Sequence, residues 1–469
     1  MSIKSNLCYS AALTFSTYLV PLIVFPYISR ILGPTGIGAV ETIDGIIDYC
    51  VLFSMMGMSS LGIREIASNK NDKIALQKAF NSLFGLHAIT TGIALLLLCL
   101  ATLLLPNLQQ RFPLLMVGTI KLLFNLFWIE WFYRGLEDFR YITIRSVLVR
   151  MAFVVSVFLL VKTREDYVVY YCLFVGIVVA NALCNWTYKR KWVHLCIKDI
   201  QLKKYAVPFL FLGLFALLSA IYTKLSLPVL SFMCGEEEAG YYAVACRIYQ
   251  VIIALVSSLI SVLIPRMSIY IKEKNTESII SLYNTAFLLV FFLGIPIIIY
   301  MEFLAKDLVV LFAGNNFTNA VTSMRIMVLV TLIVGIEQII IMQLLIPLHQ
   351  DKYVVRCALY GVFAWLFLSL VLIPHFASTG TALTWLLSET TVLVGAIRIL
   401  KKKFSFPLPW SNLLRHVVYD IPYIAMSWLV CRFVESPLTR LSVCGILYLG
   451  YTILLWKGVI KAQTSSINK

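Results

Sequence analysis

Apolar stretches long enough to cross a bilayer follow one another along almost the whole chain. They fall near residues 7–31, 37–62, 79–105, 113–133, 141–162, 167–187, 206–233, 240–265, 279–303, 320–346, 353–374, 378–400, 414–434 and 440–460, about fourteen spans of about twenty residues each. No water reaches a backbone N–H or C=O in hydrocarbon, so each span must close its hydrogen bonds internally as a helix. With 60% hydrophobic and 13% charged residues, the 469-residue chain carries more apolar side chain than a soluble fold could cover. The expected class is an all-α polytopic membrane protein. The first span has only Lys4 ahead of it and is too long for a signal-peptide core, so it reads as retained. The eleven cysteines are scattered through the spans without a C-x-x-C or Cys/His grouping. They read as small hydrophobes, and no metal site or catalytic group is expected.

The loops set the orientation. With the N-terminus inside, the inner loops carry Arg64, Lys70, Lys73 and Lys78; Arg134, Arg140 and Arg145; Lys189, Arg190, Lys191, Lys198, Lys203 and Lys204; Arg266, Lys272 and Lys274; Lys352 and Arg356; and Arg398, Lys401, Lys402, Lys403 and Arg415. Counting both termini, roughly 27 basic residues lie inside against roughly 8 outside, so both ends are expected in the cytoplasm. The formal charge of +16 is spent on these loops, which argues for topology and against nucleic acid.

One segment occurs twice, about 202 residues apart. Pro26, Ser29 and Gly33 read P-x-x-S-x-x-x-G, as do Pro228, Ser231 and Gly235. Gly36, Ala39 and Val40 then match Gly240, Ala243 and Val244 as G-x-x-A-V, and Arg64 matches Arg266. The repeat predicts two six-helix lobes. Six is even, so both lobes enter from one side and are parallel repeats, an architecture of transporters that rock about a central site. The expected organisation is a first lobe over 1–190, a cytoplasmic linker over 191–205, a second lobe over 206–403 and a C-terminal helix pair over 404–469. Pro21, Pro26, Pro228 and Pro296 interrupt spans and permit bends.

Ionisable groups inside spans are costly and face the bundle interior. Glu41, Asp44 and Asp48 stand three and four residues apart, on one face of span 2. They read either as a proton or sodium site that couples transport to a gradient, or as partners of basic residues across a cavity. The basic set is Lys121 in span 4, Lys224 in span 7, Arg247 in span 8 and Arg30 at the outer end of span 1. A cavity they line would suit an anionic cargo such as phosphate. Salt bridges from Lys224 and Arg247 to the span 2 acids, and snorkelling of Arg30, are the structural alternatives. Arg150, Glu337, Glu389 and Asp420 also lie within spans; Glu337, near the middle of span 10, and Glu389, near the middle of span 12, each isolated in sequence, are candidates for a second coupling site. Glu130 and Arg134, one turn apart, predict a local ion pair. Glu236, Glu237 and Glu238 read as a solvated outer turn. Tyr18, Tyr27, Trp128, Trp131, Tyr133, Tyr241 and Tyr242 read as a mix of interfacial belt and sugar-stacking roles, with the belt the commoner case.

The region from Arg30 to Ile66, with I-S-R-I-L-G-P-T-G-I-G-A-V and then G-I-R-E-I, resembles the first hairpin of bacterial polysaccharide and oligosaccharide flippases. These belong to the multidrug/oligosaccharidyl-lipid/polysaccharide exporter superfamily. Lys224-Leu225-Ser226-Leu227-Pro228, Gly240-Tyr241-Tyr242-Ala243 and Ile264-Pro265-Arg266-Met267-Ser268 are similar to that family's hairpin of helices 7 and 8. The resemblance implies twelve or fourteen helices in two bundles in the bacterial cytoplasmic membrane. It implies alternating-access transfer of polyprenyl-pyrophosphate-linked oligosaccharide to the periplasmic leaflet for cell-surface polysaccharide such as O-antigen. Covalent chemistry and cofactors are not implied, and glycosyltransferases or a polymerase of the same pathway are the implied protein partners. Pyrophosphate would dock on Lys224 and Arg247, with Arg30 and Lys121. Glu41, Asp44 and Asp48 depart from the mostly uncharged second helix of the family and favour coupling to H+ or Na+. A cation-coupled multidrug exporter of the same fold is the first alternative, and a membrane-embedded glycan polymerase or ligase is the second.

Overall fold

The structure, a computed structural model, describes residues 3–196, 200–404 and 409–455. Residues 197–199 of the expected linker, Lys198 among them, and 456–460 of the last expected span lie outside the described residues. Regular structure among the described residues is helical throughout. The helices are α1 (Ile3–Met55), α2 (Met58–Asn69), α3 (Lys73–Leu104), α4 (Pro106–Gln109), α5 (Phe112–Asn125), α6 (Glu130–Gly135), α7 (Phe139–Leu160), α8 (Tyr167–Tyr188), α9 (Leu202–Cys234), α10 (Glu236–Lys272), α11 (Thr276–Ala313), α12 (Ala320–Gln338), α13 (Asp351–Phe404), α14 (Trp410–Tyr419), α15 (Ile421–Phe433) and α16 (Pro437–Leu455). Polar loop residues start several of them. Asp72 accepts from the N–H groups of Ile74 and Ala75 ahead of α3, and Asn275 accepts from Ser278 N–H ahead of α11.

Eleven helical segments among the described residues are long and apolar enough to cross a membrane. Two of them, of 62 and 52 residues, far exceed one crossing, and each reverses at a residue with positive φ, Gly33 in α1 and Ala377 in α13; the longer one has a second such residue, Met56, where α1 ends. Expected spans 1 and 2, and spans 11 and 12, are thus joined through a single-residue turn where a loop was expected. Hydrogen bonds show the reversal at Gly33. Thr143 Oγ1 donates to Tyr9 O and Tyr27 OH to Val161 O, so residues 9–27 run with α7. Beyond Gly33 the chain runs with α8, which returns from the turn after α7. Gly36 packs beside Tyr167, and the Tyr171 hydroxyl donates to Asp44. In α13, Gly380 comes back against the carbonyl of Leu372, which a straight helix would forbid.

The repeated motif is a repeated conformation. Gly33 has φ 68° and ψ −179°, and its counterpart Gly235 has φ 97° and ψ 170°. Residues with a Cβ rarely adopt this region, so both copies need glycine for the same turn. The G-x-x-A-V copies bring glycine to a close approach. A Cβ on Gly38 would lie 1.7 Å from Glu236 O, and one on Gly240 would lie 2.0 Å from Pro34 O.

The described chain forms two compact units, Met1–Gly240 and Tyr241–Lys469, with the boundary inside α10. The repeat divides the chain at 191–205 and packing divides it at 240, so α9 is a second-lobe helix by sequence and a first-unit helix by contact. In the first unit, Phe80, Trp131, Phe132, Tyr133, Tyr205 and Phe209 build a buried aromatic core. Trp131 and Tyr133 are therefore core residues, as Tyr241 and Tyr242 are in the second unit. They were expected mainly in an interfacial belt, but neighbouring helices enclose them. In the second unit α11 is central, packing against α12 and α16. Tyr300 OH donates to Leu441 O, and Arg440 pairs with Asp307 at 3.3 Å.

Substitution should separate glycine forced by contact from glycine that is incidental. Gly38→Ala must push Glu236 aside and should lower stability by about 1–3 kcal/mol. Gly92 in α3 has open space around it, and Gly92→Ala should be neutral or raise stability by about 0.5–1 kcal/mol. Thermal unfolding of the two purified variants beside the parent checks this, and equal loss in both would refute it.

Candidate functional site

Four helices of the first unit converge on Lys121. The second half of α1 presents Glu41, Asp44 and Asp48 along one face, α5 carries Lys121, α8 carries Tyr171, and α9 carries Lys224. Lys121 Nζ donates to Asp44 Oδ1 at 2.6 Å and to Asp48 Oδ1 at 2.7 Å. Lys224 Nζ donates to the other oxygen of the same carboxylate, Asp48 Oδ2, at 2.6 Å. The Tyr171 hydroxyl donates to Asp44 Oδ1 at 3.0 Å, and Lys121 Nζ lies 5.1 Å from the centroid of the Phe174 ring. The result is a chain of alternating charge, Asp44–Lys121–Asp48–Lys224. Asp44 and Lys121 are nearly enclosed, with side-chain exposures of 11% and 9%, and exposure then rises to 28% at Asp48 and 43% at Lys224. One end is sealed among helices, and the Lys224 end is open.

The sequence left two roles open for these groups, ion coupling for the acids and cargo binding for the lysines, with mutual pairing as the structural alternative. In this structure Asp44, Asp48, Lys121 and Lys224 pair with one another. Glu41 stands one turn nearer Gly33, close enough to Asp44 for their carboxylates to interact. Arg30 donates back to Pro26 O in its own helix. Arg247 belongs to the second unit, half-buried on α10. Arg150 donates to Leu13 O and Ser16 Oγ, tying α7 to α1. The predicted pair of Glu130 and Arg134 is present at 2.6 Å, and Arg145 joins it at 3.4 Å.

Several groups escaped the sequence reading. Tyr171 gave no signal beyond a hydroxyl in an apolar span. Arg111, between α4 and α5, pairs with Glu236 at 2.6 Å, reaches Ser231 Oγ at 3.3 Å and lies over Phe232. Glu236 is therefore held by a guanidinium at the second copy of the repeated turn, where the sequence suggested plain solvation. In the second unit, Glu337 on α12 and Glu389 on α13 lie close enough for their carboxyl groups to interact, and Trp385 Nε1 donates to Glu389 Oε1 at 3.0 Å. Each looked isolated in sequence because 52 residues separate them.

A sequence profile of the family described as "Polysaccharide biosynthesis protein" matches residues 3–271. The chain belongs to this family. The polysaccharide biosynthesis match takes in both repeated turns and all of Arg30, Glu41, Asp44, Asp48, Lys121, Lys224 and Arg247. Two curated relatives share the name "Putative O-antigen transporter". The one from Escherichia coli (strain K12) is 23% identical over 409 residues, 84% of this chain and 95% of its own length. The one from Shigella dysenteriae is 22% identical over 406 residues, 85% of this chain and 100% of its own. Among solved structures, the lipid II flippase MurJ in an inward closed conformation superposes with TM-score 0.79 at 15% identity. It covers 97% of this chain and all of that one. An inward-facing MATE-family multidrug resistance transporter of the MOP superfamily superposes with TM-score 0.64 at 15% identity, over 82% of this chain and 96% of that one. These likenesses show the fold. This member of the polysaccharide biosynthesis family is thus an all-α polytopic membrane protein with the fold of MurJ and the MATE transporters.

The pairing at Lys121 sets an asymmetry that mutagenesis can read. Lys121→Ala strands two carboxylates with little solvent and should cost about 3–5 kcal/mol. Asp44→Asn combined with Lys121→Met removes charge from both sides and should cost clearly less. Unfolding midpoints in detergent check the order, and a double variant less stable than Lys121→Ala would contradict the pairing.

Proposed function

We propose that this chain is a non-enzymatic flippase that carries polyprenyl-pyrophosphate-linked oligosaccharide across the bacterial cytoplasmic membrane by alternating access, for cell-surface polysaccharide synthesis. Its termini lie in the cytoplasm. The observation that carries the reading is the Asp44–Lys121–Asp48–Lys224 chain. Its open end is a cation bonded to a carboxylate, and a phosphate can take that carboxylate's place. Family membership, the two relatives named as O-antigen transporters and the fold of a lipid II flippase all support this cargo class.

In this reading pyrophosphate docks on Lys224 and Arg247, with Arg30 and Lys121 supporting. Phosphate offers more acceptor oxygens and more charge than a carboxylate, so it competes well for a partly wet ammonium. Asp48, displaced from Lys224, keeps its bond to Lys121. A proton or sodium ion arriving at Glu41, Asp44 or Asp48 compensates the freed negative charge and couples cargo movement to a gradient. The sugar passes through the cavity, and the polyprenyl tail stays in lipid. Glycosyltransferases or a polymerase of the same pathway supply and receive the cargo. Until cargo displaces Lys224, two of the three acids, Asp44 and Asp48, are matched by Lys121 and Lys224, so the cluster is not the open acidic site that a cationic drug would need, and the multidrug reading is disfavoured.

Export of lipid-linked oligosaccharide by reconstituted vesicles, read with leaflet-specific labelling, tests this function. Lys224→Ala with Arg247→Ala should abolish transfer while the protein remains folded and monodisperse. Asp48→Asn should retain cargo binding and lose dependence on the ion gradient. Normal transfer by the Lys224→Ala/Arg247→Ala variant would sink the phosphate site. Transfer of drug but not glycan by the parent would sink the cargo class.

A further inference from the structure

The two arms of α13 form a groove of about 620 Å³ lined by Arg356, Tyr360, Phe363, Val394, Gly395 and Arg398, among others. The position of its two arginines follows from the turn. Arg356 lies 21 residues before Ala377 and Arg398 lies 21 residues after it. At 1.5 Å per residue each arm runs roughly 31 Å from the turn, about one hydrocarbon thickness. Both arginines therefore lie equally far from the turn, about one hydrocarbon thickness along their arms, at the end of the hairpin that charge counting assigns to the cytoplasm. Between them and the turn the groove wall is mostly apolar, with Thr390 and Thr391 as polar members, and its large side chains turn outward. Phe363 is 66% exposed, Tyr360 43% and Val394 39%. The Tyr360 ring lies against Gly395, where an added Cβ would stand 2.9 Å from Cδ2, so the two arms close the groove floor.

Neither guanidinium is matched by an acid. The Arg356 guanidinium carbon lies 5.6 Å from the centroid of the Tyr353 ring, and among the described residues no carboxylate pairs with Arg356 or Arg398. Lys352, Lys401 and Lys402 add positive charge nearby. The first unit offers an internal contrast. A groove of about 660 Å³ between α7 and α8 is lined by Asp138, Arg140, Tyr141, Arg145, Leu148 and Tyr188, among others. There Arg145 is buried and committed to Asn185, Ser146 and Glu130, and Asp138 brings a carboxylate into the lining. Of these two grooves, the α13 groove is the one that joins two arginines without a carboxylate partner to an outward apolar wall.

We infer that the α13 groove seats an anionic phospholipid of the cytoplasmic leaflet, its phosphate on Arg356 and Arg398 and an acyl chain along Tyr360, Phe363 and Val394. Planar guanidinium groups bind phosphate oxygens in pairs, and basic pockets between helices on the cytoplasmic side select anionic headgroups. The seat is distinct from the Lys121 cluster and needs no transport cargo.

The test uses the full chain in nanodiscs of phosphatidylcholine with or without phosphatidylglycerol. Phosphatidylglycerol should raise the unfolding midpoint of the parent. Arg356→Gln with Arg398→Gln should lose more than half of that rise, whereas Arg140→Gln should keep it. Inorganic phosphate in place of phosphatidylglycerol should leave the parent unmoved. A full rise in the Arg356→Gln/Arg398→Gln variant, or the same rise with inorganic phosphate, overturns the proposal. A second measurement needs no variant. A phosphatidylglycerol bearing a photoreactive group near its phosphate should mark peptides around 353–360 and 394–402 of the parent, and adducts confined to other helices overturn the seat.

Discussion

A lysine in the interior of a membrane protein has to be matched, and much of the first unit is arranged around matching one. Lys121 is nearly enclosed, and the cost of stripping water from an ammonium is met by two carboxylates on adjacent turns of α1 and by the ring of Phe174. This requires the second half of α1 to lie against α5, and it fixes which face of α1 turns inward. Tyr171 satisfies one further lone pair of Asp44, and Lys224 one of Asp48. Helix association in lipid lacks the hydrophobic drive available in water. Directional bonds of this kind therefore do more to choose the arrangement than apolar area does.

The arrangement also gives meaning to the asymmetry between the duplicated hairpins. The first copy is acidic after its turn, and the second is basic before its turn. In space Asp48 of the first copy bonds Lys224 of the second, while the glycines after the two turns allow Gly38 to meet Glu236 and Pro34 to meet Gly240. Arg111 adds a guanidinium to Glu236 at the same end. Two copies of one motif have become complementary in charge while keeping the same backbone turn. Asp48 bonds two lysines at once, and that gives the arrangement a way to change. An incoming anion can take Lys224 without leaving Asp48 unpaired.

Much of the fold was legible in the sequence. Lengths of apolar run define helices because a backbone in lipid has no other way to satisfy itself. Gly33 and Gly235 were visible as a repeated position, and both adopt the positive φ that glycine alone takes readily. Glu130 and Arg134 could be paired from their spacing, since neighbours one helical turn apart meet in any helix. The partners of Lys121 could not be assigned this way. Asp44 is 77 residues distant and Asp48 is 73. Several basic residues were equally eligible for the span 2 acids, and nothing local ranks them. Glu337 and Glu389 are separated in the same manner, and only the packing of α12 on α13 brings them together. The buried Trp131, Tyr133, Tyr241 and Tyr242 mark the opposite limit. Residue type suggested the membrane interface, and helix–helix contact placed them inside.

By itself the sequence determined that the chain is a helical membrane protein, where it turns, that part of it is duplicated, and which ionisable groups are too costly to face lipid. These properties depend on the solvent and on neighbours within one turn of helix. The tertiary structure alone decided which acid meets which base, which aromatic residues are core, and that two arginines equally far from Ala377 share one groove. Those outcomes depend on which helix faces lie against each other, and they are set by contacts between residues far apart in the chain.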